Sequence, residues 1–126
     1  MTTETKYFTP DEARRTLPLV KKIVQDILNS AKEMKLLAED VDGKIGENPE
    51  IKKLAEDING FLAELEEIGC LYKDPNFLSG LVDFPSVIND KEVYLCWRSD
   101  EDDILYYHEI NEGFSGRKPI PEEYFD

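Results

Sequence analysis

Apolar residues in the first half of the chain recur three and four positions apart. From Ala13 the series runs through Leu17, Val20, Val24, Ile27, Ala31, Met34, Ala38 and Val41, with Lys21, Lys22, Lys32 and Glu33 off it. This is the stripe of an amphipathic helix with heptad-like spacing. Thr9-Pro10-Asp11-Glu12 marks its start. Thr9 accepts from the free backbone N–H groups, Pro10 suits the first helical position, and Glu12 completes a capping box. A helix over 10–41 would be about 48 Å long. Pro18 lacks the N–H for an i−4 bond, so a kink or a break is expected near residues 15–17.

Asp42-Gly43-Lys44-Ile45-Gly46-Glu47 reads as a loop, and Asn48-Pro49-Glu50 as a second helix start. The second stripe is Ile51, Leu54, Ile58, Phe61, Leu65 and Ile68, widened by Ala55 and Leu62, and Gly69 supplies the stop. Two such helices joined by a short loop predict an antiparallel hairpin over 8–69. The stripes would pack on each other and on the second half of the chain. Their other use would be a coiled-coil dimer.

Past Gly69 the period shortens to two, and β-branched and aromatic residues alternate with turn residues. Strands are expected over 70–73, over 81–84 with continuation past Pro85 to Ile88, over 93–97 and over 104–109. Asp74-Pro75-Asn76 and Asn89-Asp90-Lys91 are turns, and Ser99-Asp100-Glu101-Asp102-Asp103 is an acidic loop. Pro85 argues for an edge or a bulge. A two-residue Asn89-Asp90 turn sets Val82 opposite Trp97, Asp83 opposite Cys96 and Phe84 opposite Leu95. Pairing Trp97 with Leu105 then places Val82, Phe84, Val93, Leu95, Trp97, Leu105 and Tyr107 on one apolar face, expected to cover the helices. The register one residue away would set Glu92 opposite Glu109. The expected fold is therefore α+β: a long N-terminal antiparallel helical hairpin packed on a C-terminal antiparallel sheet of three to four strands. It forms one domain over 1–126, divided into the hairpin at 8–69 and the sheet with a C-terminal loop at 70–126.

The opposite face then carries Asp83, Tyr94, Cys96, Arg98, Tyr106 and His108: an acid, the single histidine, a base and two phenols. His108 and Glu109 are neighbours on a strand and point to opposite faces, so they do not form a chelating pair. Asp83 with His108 is the sounder combination. A carboxylate beside an imidazole orients it as a general base, shares a metal, or holds it structurally. Gly113-Phe114-Ser115-Gly116-Arg117 is a loop that could fold over this face and offer Arg117 to a carboxylate or phosphate. The plainer use of Arg117 is an ion pair with one of the many acids.

Charge narrows the partners. The chain of 126 residues has a formal net charge of −13. That field does not attract a nucleic-acid backbone or an anionic membrane, so neither is expected as a partner. No apolar run approaches the roughly 20 residues of a membrane span, and the first residues are polar, so a cytoplasmic protein is expected. Cys70 and Cys96 match neither a zinc motif nor a redox pair, and read as buried thiols in a reducing compartment. There is no P-loop, nucleophile elbow, HExxH, EF-hand loop or dinucleotide fingerprint. Asp100-Glu101-Asp102-Asp103 could draw a divalent cation, but reads more simply as a solvated turn. No metal and no cofactor are expected.

In Phe8-Thr9 through Glu12-Ala13, Leu17-Pro18, Lys73-Asp74, Gly80-Leu81-Val82-Asp83-Phe84-Pro85, Val93-Tyr94-Leu95-Cys96-Trp97-Arg98, His108-Glu109, Gly113-Phe114 and Gly116-Arg117, the chain resembles a prokaryotic family of small domains of unknown function. The resemblance spans nearly the whole chain and implies a bacterial or archaeal cytosolic protein, without implying an activity. Asn89-Asp90-Lys91 departs from the aspartate–glycine turn expected of that family. The functional expectation is a binding or interaction module that is a homodimer. It would hold a protein partner or a small anionic ligand through Asp83, Tyr94, Arg98, Tyr106, His108 and Arg117. The alternative is a small hydrolase or metal-dependent enzyme using Asp83, His108 and Arg117.

Overall fold

The computed structural model describes residues 5–40 and 48–125. Among these, two α-helices precede a five-stranded antiparallel sheet, an α+β arrangement. The helices are α1 (Pro10–Asp40) and α2 (Pro49–Ile68). Val41 and the expected loop at 42–47 lie outside the described residues.

The capping signals act as the sequence implies. Glu12 N–H donates to Thr9 Oγ1 and Thr9 N–H to Glu12 Oε1, both at 3.1 Å, closing the box at the start of α1. Asn48 Oδ1 accepts from the N–H groups of Glu50 and Ile51, and α2 ends on Gly69 at φ 108. Of the kink or break expected near residues 15–17, the break does not form, and α1 is continuous through Pro18. Pro18 lies on the exposed side of the helix, where water can reach the Arg14 carbonyl that proline leaves without its usual donor.

The strands are β1 (Leu71–Tyr72), β2 (Leu81–Ile88), β3 (Lys91–Arg98), β4 (Tyr106–Glu109) and β5 (Lys118–Pro119), in spatial order β1-β2-β3-β4-β5. The sheet has one strand more than the three to four expected: β1 falls within the strand expected over 70–73, and the addition is β5, with two residues. Lys118-Pro119 carries no apolar alternation to betray it. Asn89 and Asp90 have φ of 52 and 62 and form the two-residue turn, with Ile88 paired to Lys91. The pairs Val82–Trp97, Asp83–Cys96 and Phe84–Leu95 are formed, and Leu95–Tyr107 fixes the β3–β4 register as expected.

Pro85 takes the edge of the two options, since the β2–β3 register runs through it without a bulge. β1 pairs only with Val82 and Asp83, so β2 has an open side further along. There the Pro85 carbonyl accepts from Phe8 N–H at 2.7 Å. In a strand the N and C=O of one residue point the same way, so the missing N–H also faces the open side.

Val82, Phe84, Val93, Leu95 and Trp97 are buried against Ala13, Leu17, Val20, Val24 and Ile27 of α1. Leu105 departs from expectation. It is 45% exposed, and Ile104, at 0%, takes the core position. The β3–β4 ladder begins only at Tyr106, so the strand alternation does not extend back to residue 105.

Candidate functional site

The registers that bury the apolar face send Asp83, Cys96 and His108 to the other side of the sheet. Asp83 lies directly across from Cys96, and Tyr94 from His108. All three side chains are nonetheless buried, at 3%, 2% and 3% exposure. One ligand atom from each lies within 4.8 Å of the others, and this is the one such group of three metal-ligating side chains among the described residues.

His108 Nε2 stands 3.1 Å from both oxygens of Asp83. Its Nδ1 is 2.8 Å from the Glu109 carbonyl, which can only accept. A neutral imidazole carries one N–H and cannot donate in both directions. With Nδ1–H committed to the carbonyl, Nε2 turns a lone pair toward a carboxylate. A second proton or a cation must lie between them. Burial pushes the Asp83 carboxyl above its ordinary pKa, against the opposing pull of His108. Burial, reinforced by the Asp83 charge, pushes the Cys96 thiol up to about 12.

A cavity of about 250 Å³ opens over the cluster, with Lys73, Tyr94 and Phe114 among its lining residues. Ile110, Glu112 and Gly113 line it as well. The His108 ring is tilted against Tyr94, with centroids 5.6 Å apart, and the Lys73 ammonium sits 5.6 Å over the Tyr94 ring.

The other candidates gather beside this cluster instead of in it. Arg117 makes contacts of 2.9 Å to both carboxylate oxygens of Glu101, and its guanidinium stacks over Tyr106 and Phe114. Arg98 pairs with Asp100 and also stacks on Phe114. The Gly113–Arg117 loop therefore does fold over the polar face, but its guanidinium is occupied by an acid of the β3–β4 loop. Cys96 and Lys73 were not among the candidates. The register that set Asp83 opposite Cys96 was the signal available for the first. Nothing local pointed to the second.

Fold and site together define a small α+β protein with a buried acid–thiol–imidazole cluster on the outer face of its sheet. The chain belongs to the family described as an uncharacterised conserved protein (DUF2203), which matches residues 6–120. No curated protein and no solved structure matches it. No helix among the described residues is long and apolar enough to cross a membrane.

Proposed function

We propose that the protein is a binding module whose ligand site is the cavity over Asp83, Cys96 and His108. The carrying observation is the buried acid–imidazole pair at the floor of that cavity. Taking two ionisable groups out of water is unfavourable, and apolar side chains would serve the sheet at least as well. At about 250 Å³ the cavity is below the roughly 300–1,000 Å³ of drug-sized sites, so it suits a small ligand. Lys73 at its rim is the cation that would meet an anion, the role first expected of Arg117.

The reading as a hydrolase or metal-dependent enzyme built on Asp83, His108 and Arg117 has less support, because Arg117 is held by Glu101. We also infer a single domain acting in a prokaryotic cytosol as a homodimer. The homodimer is supported by Leu78, 75% exposed beside a groove that also includes Leu28, Met34 and Phe77.

Native mass spectrometry tests the site, on protein purified without chelator or metal-affinity steps. A retained small mass, lost in Asp83→Asn or His108→Gln with circular dichroism unchanged, is the expected result. A bare mass, with no NMR response of the cavity residues to inorganic phosphate or acetate, would remove the reading.

A further inference from the structure

We infer that Asp83, Cys96 and His108 form a binding site for a single divalent transition-metal ion of the zinc type, with its fourth position open to the cavity. This deepens the reading of that cavity as a ligand site, and it departs from the absence of a metal motif in the sequence.

The donor set comes first. One carboxylate oxygen, one thiolate sulfur and one imidazole nitrogen are the three kinds of ligand zinc takes. Three protein ligands with an open fourth position are the pattern of a site that exchanges water or a small ligand. In a tetrahedral zinc site, bond lengths near 2.0–2.3 Å place neighbouring ligand atoms about 3.3–3.7 Å apart. Nε2 and the Asp83 oxygens are already 3.1 Å apart. All three ligand atoms lie within 4.8 Å of one another, not far outside that spacing.

The supporting shell comes second. The Glu109 carbonyl, 2.8 Å from Nδ1, fixes the tautomer that leaves the Nε2 lone pair facing Asp83 and Cys96. A backbone carbonyl in this place is a usual orienting partner of a zinc-bound histidine. Without a cation, the pair needs a second proton to keep two acceptors from confronting each other in a buried site. With a cation, both are satisfied.

Charge comes third. Once the ion displaces the Cys96 thiol proton to solvent, carboxylate and thiolate supply two negative charges and the neutral ring none, so a divalent ion makes the buried assembly neutral overall. A buried carboxylate beside a neutral ring reaches that balance only by holding a second proton. The three ligands also come from three neighbouring strands joined by extensive backbone pairing, so the site is largely preformed, not assembled by the ion.

The test is a zinc titration of the chelator-stripped full chain against a chromogenic competitor, followed by the imidazole nitrogen spectrum. The chain has one histidine, so that spectrum reports His108 alone. One equivalent of zinc is expected, with the Nε2 resonance moved and Nδ1 still protonated. Cobalt should give a thiolate charge-transfer band that Cys96→Ser abolishes and Cys70→Ala keeps. Affinity in Cys96→Ser should fall by more than the about 10- to 100-fold that losing a supporting hydrogen bond causes. Zinc binding that leaves the His108 nitrogens unmoved overturns the inference, as does failure to bind one equivalent. The wild-type nitrogen spectrum decides even where a variant does not fold. A chain that ignores zinc but responds to phosphate or acetate at the cavity keeps the binding-module reading and loses the metal. A zinc-loaded chain that admits neither anion keeps the metal and loses the small-ligand reading.

Discussion

At Gly80 the backbone takes φ +67, and a Cβ there would lie 2.7 Å from Cγ1 of Val24. Only glycine combines that conformation with so close an approach to α1. Asp74 holds the preceding turn: its Oδ2 accepts from Ser79 N–H at 2.7 Å and Gly80 N–H at 2.9 Å. Burial pushes the Asp74 carboxyl up, but the N–H groups of Gly80 and Ser79, with others in the turn, outweigh it and hold the pKa below the ordinary value. A carboxyl with a lower pKa folded than unfolded stabilises the fold above the unfolded pKa, near 3.8. That contribution is lost as pH falls through the folded value. Wild type should therefore be more resistant to urea than Asp74→Asn at neutral pH, with the two curves converging below about pH 4. A gap that persists or widens in acid would show that the charge is not what Asp74 contributes.

The β2–β3 hairpin is the element most legible from residues alone. Val82, Phe84, Val93, Leu95 and Trp97 alternate strictly, and a slip of one residue would expose all of them. The turn that closes it is chemically suboptimal: both central residues need positive φ, and the second is Asp90 at φ 62. Asp90→Gly relieves that conformation at the cost of a more flexible unfolded chain, and should raise stability by up to about 1 kcal/mol. Urea unfolding measures this directly, and a destabilised variant would mean that Asp90 makes a compensating contact. Other elements were beyond periodicity. β5 has two residues, too few to show a period of two. The exchange of Leu105 for Ile104 in the core depends on where the β4 ladder begins, which backbone pairing decides. The partner of Arg117 was one acid among 28, and only the folded β3–β4 loop selects Glu101.

Across the whole molecule, the two faces of the sheet obey different rules. The face toward the helices is filled by apolar residues, as stability requires. The outer face buries Asp83, Cys96 and His108 under a cavity, each from a different strand. Their register was readable, but ligands drawn singly from three strands leave no motif at fixed spacing. A pair that served only stability should resist replacement as a unit; one kept for binding should not. In the metal-free chain Asp83→Leu leaves the imidazole buried without its partner and should cost about 1–3 kcal/mol. Adding His108→Leu removes the stranded group, and buried pairs exchanged for apolar residues are often neutral or gain about 1–4 kcal/mol. The double variant should thus unfold at a urea concentration near or above that of wild type while losing whatever the cavity binds. If it is no more stable than Asp83→Leu alone, the pair is an architectural support of the sheet, and a binding site on this face would rest on ligand measurements alone.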